Sequence, residues 1–409
     1  MKNVVVTGIG LVTPLGADPH GVFGHLLAGR SAIRCLPEAF NPRLKARVVA
    51  PVEYEVRLPM SAARARMLDR VSRFALAACA EALADACIVL GDEDPSQVGV
   101  SIGTGMGGAT STDEAYQKVY EERSERVEPF SVILSMNNAA ASWIGIEHGL
   151  RGPNITYSTA CSSSAVAIGE AARRIEHGDA EVMIAGGAEA PLTFGVLKAW
   201  DALRTLAQQD HDDPGASCKP FAGNRTGLVL GEGAAIVVLE DAEHARRRGA
   251  RVYASVAGYG LATDIEHITR PSVEGQARAM TLALACAKLA PAAVGYINAH
   301  GTATQANDAV ETAAIRNVFG DAADHCPVSS TKSMHGHLLG AAGALEFVIA
   351  VMALNSGDIP PTAHLRVPDP ACDLDYVAEG ARHIPPPEAV MSNSFAFGGT
   401  NAVLVARRA

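Results

Sequence analysis

What this chain lacks already narrows it. Its eight cysteines, at positions 35, 79, 87, 161, 218, 286, 326 and 372, include no CxxC pair. Neither a zinc site nor a disulfide framework is signalled, and a reducing cytosol fits best. No Lys/Arg tract is concentrated anywhere, and 34 basic against 44 acidic side chains leave a net charge of −10. Nucleic acid and an anionic membrane surface are therefore not expected partners, and any basic docking surface must be a local patch. No apolar run reads as long enough to span a bilayer. The first eight residues carry one lysine and a short apolar run cut by Gly8, the signature of a first strand rather than a signal peptide. Aromatic residues make up only 5%, whereas 48% of the chain is hydrophobic and 39 residues are glycine. That is a globular, enzyme-sized chain with ample core, long enough for two or three domains.

Strand and helix patterns alternate along the chain. Residues 64–86 place Leu68, Val71, Phe74, Ala75, Ala78 and Leu83 on one side of a helix, and residues 98–102 follow as a strand. Residues 228–240 read as buried strand, Asp241 as the cap of a helix over 242–248, and residues 252–258 as a new strand. A boundary near 250 divides the chain into residues 1–249 and 250–409. In the second half, residues 272–288 and 308–319 read as helices and residues 294–299 as a strand. The alternation predicts an α/β fold with a largely parallel, buried sheet.

Two glycine patterns invite a nucleotide reading. Gly8-x-Gly10 carries Thr13 where a third glycine should stand, while Gly103-x-Gly105-x-x-Gly108 fits the dinucleotide fingerprint. Residues 111–126 then form a polar, Glu-rich helix, so the strand ending in a ribose-binding acid is missing. Glycines at strand ends fit close backbone approach around a pocket better.

The stretch 154–190 organises the rest. A strand over 155–157 stops at small residues, Cys161 stands at the junction, and Ile168, Ala172 and Ile175 recur at helical spacing until Gly178. A thiol where a helix begins meets unpaired N–H groups and the positive end of the macrodipole, which favour thiolate. The plainer reading is a buried core cysteine. His300 and His337 at element tips, with Lys332 nearby, turn the balance: a thiolate can hold an acyl group, and neutral imidazoles can hydrogen-bond the enolate oxygen formed when a carboxylate leaves as carbon dioxide. No cofactor is needed for that chemistry. Each histidine alone, His335 included, would more simply be structural, and Lys332 alone a surface charge.

Four strings carry a family resemblance: Thr159-Ala160-Cys161-Ser162-Ser163, Asn298-Ala299-His300-Gly301-Thr302-Ala303-Thr304, residues 329–337 from Ser329 to His337, and Asn393-Ser394-Phe395-Ala396-Phe397-Gly398-Gly399-Thr400-Asn401. In that order, over the whole chain, the sequence resembles the elongating β-ketoacyl-acyl-carrier-protein synthases. The resemblance implies a thiolase-like fold of two similar halves layered helix, sheet, helix, sheet, helix, as a dimer. It implies Cys161 as acyl nucleophile, and His300 and His337 as the groups that bind the malonyl thioester and assist decarboxylation. Lys332 would support His337 and pair with Glu311. Thr302 and Thr304 would hydrogen-bond phosphopantetheine, with Phe395 also at the substrate. Phe397 would gate the site and share an oxyanion hole with Cys161, and Met106 would tune the acyl pocket. The implied partner is an acyl carrier protein, with a homodimer or a heterodimer with a chain-length-factor-like subunit. Relatives also hold a structural monovalent cation near Asn298 and Glu346; no metal is counted in the expected site.

Departures from the family pattern concern the substrate rather than the reaction. Arg225-Thr226-Gly227 replaces Arg-Asp-Gly, Ala222 stands where aspartate is common, and residues 305–308 read Gln-Ala-Asn-Asp. Ala396 replaces a glycine of the gate, which implies a restricted gate or a hinge displaced to Gly398 and Gly399. A specialised fatty-acid or polyketide pathway is expected. Two other readings are weaker. Ser329-x-x-Lys332 lacks the companion motifs of a serine acyl-enzyme. Partner subunits that set chain length without a nucleophile characteristically lack the cysteine that this chain keeps.

Overall fold

The computed structural model describes residues 2–37, 40, 43–58 and 60–409. Ten strands form one continuous sheet: β1 (Val4–Val12), β2 (Val98–Gly103), β3 (Asn154–Tyr157), β4 (Val182–Glu189), β5 (Gly233–Asp241), β6 (Ala254–Thr263), β7 (Val294–Asn298), β8 (Val328–Ser329), β9 (Ala389–Phe395) and β10 (Thr400–Arg407). Their order is β8-β7-β9-β10-β6-β1-β5-β4-β2-β3. The two halves of the chain meet where β1 pairs antiparallel with β6, Val5 opposite Ser255 and Val6 opposite Ala254. Outward from that seam both halves follow one plan: two antiparallel pairings (β1/β5/β4 and β6/β10/β9), then two parallel ones (β4/β2/β3 and β9/β7/β8). The expectation of a largely parallel sheet is thereby corrected to a mixed one. Strands β1, β2, β4, β5 and β9 are buried along their whole length, so their apolar runs carry no mark of direction.

The helices that place the site are α1 (Arg70–Asp85), α2 (Ala109–Tyr120), α3 (Ala139–His148), α4 (Ser163–His177), α5 (Phe194–Leu203), α6 (Val273–Ala287), α7 (Asp308–Phe319) and α8 (Ala342–Ser356). One core unites α4 and α8 with strands of both halves, a second joins α1 and α3 to the first half-sheet, and a third joins α6 and α7 to the second. These are the five layers, with α4 and α8 in the middle. The segment after β5 carries the chain across the seam near residue 250, yet one sheet and one central core hold both halves.

The helix expected over 64–86 starts only at Arg70, because Asp69 accepts from the Val71 N–H at 2.9 Å and caps it there. Residues 339–356 correct the reading that no run could cross a bilayer: Leu339–Ser356 is long and apolar enough, but 89% of it is buried inside the protein. It is the core helix α8 with the turn before it.

The glycine patterns prove to be packing devices. A Cβ on Gly8 would lie 2.2 Å from the Ala82 carbonyl oxygen and one on Gly10 1.9 Å from that of Ala78. In the second half, a Cβ on Gly258 would lie 2.2 Å from the oxygen of Ala283 and one on Gly260 2.0 Å from that of Ala279. A Cβ on Gly103 would lie 2.3 Å from the backbone of Ser163 and Ser164, so this glycine lets helix α4 approach the strand.

Candidate active site

After β3 the chain makes a tight turn at Ala160–Ser162 and enters α4. Ala160 has φ +51°, an angle costly for a residue with a Cβ. The turn is held by its own hydroxyls: Ser163 Oγ accepts from the Thr159 N–H at 2.9 Å and donates to the Ala160 carbonyl at 2.6 Å. Ser162 Oγ donates to the Thr159 carbonyl at 2.9 Å. Cys161 thus projects from a strained, braced turn at the foot of α4.

It does not project into a thiolate-favouring environment. Burial pushes the Cys161 thiol up to about 12, against the charge of Lys332 and a hydrogen bond from the Phe397 N–H, which pull it down. The expectation that the helix start would favour thiolate meets an opposing influence: burial is the largest effect on this thiol and disfavours the anion. At rest the group is a thiol.

His300 follows β7. Its backbone N–H and that of Gly301 each donate to the Glu311 carboxylate of α7 at 2.8 Å, and Asn307 and Asn393 also donate to it, at 3.2 and 3.3 Å. Four donors fully employ Glu311 in fixing the His300 loop. The expected Glu311–Lys332 pair is therefore corrected: the buried Lys332 Nζ forms an ion pair with Glu346 of α8 and donates to the His300 carbonyl at 2.6 Å. It lies 3.4 Å from His300 Nδ1, so the histidine it contacts is His300 rather than His337. Glu346 was legible as the only ionisable side chain in the apolar stretch 342–354, since a lone buried charge implies a buried partner.

Both imidazoles are neutral, held well below 6.5, first by burial and then by the charge of Lys332. Their partners also set their tautomers. Leu339 N–H donates to His337 Nδ1 at 3.3 Å, and Lys332 faces His300 Nδ1, so the ring hydrogen of each sits on Nε2. His337 Nε2 has no partner among the described residues. A sulfur and one nitrogen of each ring, from Cys161, His300 and His337, lie within 4.8 Å of one another. These are ligand types for a soft metal, but coordination through Nε2 would require each ring to turn its hydrogen toward a donor. Nearby, Asn298 Oδ1 and Glu346 Oε2 have no hydrogen-bond partner among the described residues; such acceptors fit a structural monovalent cation.

The trio lines a narrow cleft together with Thr302, Thr304, Phe395 and Phe397. Thr302 and Thr304 hydroxyls share a hydrogen bond of 2.9 Å, and Phe395 packs its ring 6.0 Å from that of His300. Phe397 stacks on Trp200 of α5 at 5.9 Å. Its loop is tied to residues 264–268 by Gly398 N–H to the Ile268 carbonyl at 2.7 Å and Asp264 N–H to the Gly399 carbonyl at 2.8 Å. Trp200, Leu228 and Arg270 also line the cleft; no motif marked them. Met106 is not among the lining residues. It is 39% exposed, and its N–H donates to the Glu189 carboxylate at 3.0 Å. The expected pocket-tuning role is not visible within this chain.

A mixed five-layer α/β fold with Cys, His, His and Lys at the tips of its central elements defines a thiolase-like condensing enzyme. Comparison with known proteins agrees: residues 1–245 match the beta-ketoacyl synthase N-terminal domain and residues 253–366 its C-terminal domain. Nodulation protein E of Rhizobium meliloti is 43% identical over 98% of both chains. The 3-oxoacyl-[acyl-carrier-protein] synthase 2 of Coxiella burnetii is 40% identical over 100% of this chain and 99% of its own. A type II polyketide ketosynthase solved with its acyl-carrier protein superposes with a TM-score of 0.92 at 30% identity, over 100% of this chain and 99% of its own. The ishigamide ketosynthase/chain length factor gives 0.91 at 31%, with the same coverage. The chain belongs to the β-ketoacyl synthase family. It is an acyltransferase that carries out condensation in fatty-acid or polyketide elongation.

Proposed function

We propose that Cys161 exchanges its proton for an acyl group, releasing the carrier's phosphopantetheine thiol and forming a thioester. Malonyl carrier protein then enters, and the Nε2–H groups of His300 and His337 hydrogen-bond its thioester carbonyl. Carbon dioxide leaves, the enolate carbon attacks the acyl carbonyl, and the departing Cys161 sulfur is reprotonated. The Phe397 and Cys161 N–H groups would receive the oxyanion, Lys332 would hold His300, and Thr302 and Thr304 would hold the pantetheine arm. No cofactor takes part. The observation that carries this reading is the convergence of one thiol and two oriented, neutral imidazoles within 4.8 Å.

Carrier protein is the proposed partner, supported by the relative solved with one. A second copy of this chain is the proposed subunit partner: Tyr116, Tyr120, Phe130, Val132, Ile133 and Ile146 are exposed apolar residues within residues 116–146, a stretch whose α3 packs beside the edge strand β3. In a heterodimer with a chain-length-factor-like subunit, this chain would be the half with the nucleophile. Of the departures from the family pattern, Gln305 lies on the threonine loop, where Arg225 Nε donates to the Thr304 carbonyl at 3.0 Å and Gln305 Nε2 to the Arg225 carbonyl at 2.7 Å. The departures support a specialised acyl substrate, and eight free cysteines support a cytoplasmic setting.

Intact-mass measurement after incubation with an acyl-carrier thioester should show a single acyl adduct, lost in Cys161→Ala. An adduct that persists in that variant overturns the assignment. In the unloaded enzyme, alkylation of Cys161 should climb about tenfold per pH unit through the neutral range, since only thiolate reacts. A plateau near pH 8 would contradict the buried-thiol state.

A further inference from the structure

We propose that Glu189, at the end of β4, is the positioning residue that orients His337 for its part in decarboxylation. This rests on the reading of His337 as hydrogen-bond donor to the enolate oxygen. Glu189 is fully buried and belongs to none of the motifs above. Its Oε1 accepts from Thr104 Oγ1 at 3.1 Å and Met106 N–H at 3.0 Å, and its Oε2 from Gly105 N–H at 2.6 Å and Gly340 N–H at 2.8 Å.

The bond to Gly340 is the informative one. Leu339 has φ +45°, which is costly for a branched side chain and persists only where surroundings enforce it. It opens the turn Leu339–Ala341, just as Ala160 opens Ala160–Ser162. The first turn is braced by Ser162 and Ser163. Leu339-Gly340-Ala341-Ala342 has no side chain able to do the same, and the brace comes from Glu189 instead. The carboxylate captures the N–H that immediately follows the strained residue. The same turn aims Leu339 N–H at His337 Nδ1 at 3.3 Å, which keeps the ring hydrogen on Nε2, facing the cleft. The carboxylate cannot be reached if either glycine grows: a Cβ on Gly340 would fall 2.6 Å from Glu189 Oε2 and one on Gly105 2.9 Å from it.

The test uses full-length enzyme with malonyl-carrier protein and acyl-carrier thioester, measuring the two half-reactions separately. Glu189→Met removes both acceptor oxygens, and with them all four hydrogen bonds, at similar side-chain length. It should lower kcat for malonyl decarboxylation roughly 100-fold, the cost of misplacing a reacting group by about 1 Å, with KM and Cys161 acylation near wild type. Leu339→Gly in that background relieves the strain and should restore much of the decarboxylation. Parallel loss of both half-reactions, or no rescue by Leu339→Gly, overturns the proposal. If Glu189→Met does not fold, Gly105→Ala displaces the carboxylate without removing it and must give the same selective loss; normal decarboxylation there overturns the proposal equally. His337→Ala is the control: should it decarboxylate normally, the proposed function fails rather than the role of Glu189.

Discussion

The two halves of this chain build the same turn at the foot of corresponding central helices and put different residues on it. In the first, strained Ala160 is followed by Cys161; in the second, strained Leu339 is followed by Gly340, both one residue into a short turn that leads into α4 or α8. A side chain at 340 has no room, since a Cβ there would lie 2.4 Å from Gly105 N. One copy of the turn therefore exposes a nucleophile, while the other is closed by a carboxylate and serves the histidine before it. Duplicated architecture supplies two equivalent helix starts, and in the proposed mechanism side chains assign the labour: acyl loading to the first half, decarboxylation to the second.

The sharpest way to break that division is His337→Ala. Condensation and malonyl decarboxylation should fall about 10²- to 10³-fold, the worth of one preorganised donor at a developing oxyanion, while Cys161 still takes up acyl chain. Complete loss of loading with normal decarboxylation would reverse the assignment of halves.

The packing of the halves offers a second test. Gly10 approaches Ala78 as Gly260 approaches Ala279, with Cβ positions 1.9 and 2.0 Å from the facing carbonyl oxygens. Gly10→Ala and Gly260→Ala should each cost about 3 kcal/mol, the upper range for overpacking a closely packed core. Urea midpoints would show this, and a variant as stable as wild type would mean that the helix can move away on that side. Equal losses would confirm that the repeat is mechanical as well as topological.

Much of this was legible in one dimension because buried chemistry leaves local marks. The strand-to-helix junction at Cys161, the helix at 308–319 and the tips bearing His300 and Lys332 follow from periodicity and punctuation. Strand direction did not follow, because strands buried on both faces have no polar side to reveal pairing. For the ionisation of Cys161, helix position is visible in sequence, but the depth of burial that pushes its thiol up is not. Lys332 was assigned Glu311, which lies 21 positions before it, whereas its partner Glu346 lies 14 positions after it. Which acid reaches a buried lysine depends on the angle between α7 and α8. Glu189 belongs to no motif, and nothing local shows that four donors from two distant loops converge on it.

The smallest expected effect concerns the gate, where the two halves approach through Phe397 and Trp200. Of the alternatives at Ala396, the displaced hinge fits the structure: Gly398 and Gly399 take φ +85° and +78°, while Ala396 is not among the residues with positive φ. Ala396 N–H donates to the Thr400 carbonyl at 3.1 Å and its own carbonyl accepts from Gly399 N–H at 3.0 Å. The residue closes a tight turn in an ordinary backbone conformation, and its methyl packs into the apolar cluster that contains Cys161. Glycine would gain no angle that this conformation needs and would widen the unfolded ensemble, so Ala396→Gly should lower stability by about 1 kcal/mol or less. Loading and condensation should keep the same ratio across short and long acyl donors, because the glycines at 398 and 399 already hold the left-handed angles of the gate. A profile that tilts with chain length, measured for wild type and Ala396→Gly side by side, would show that position 396 flexes during turnover and that the hinge extends across the whole turn.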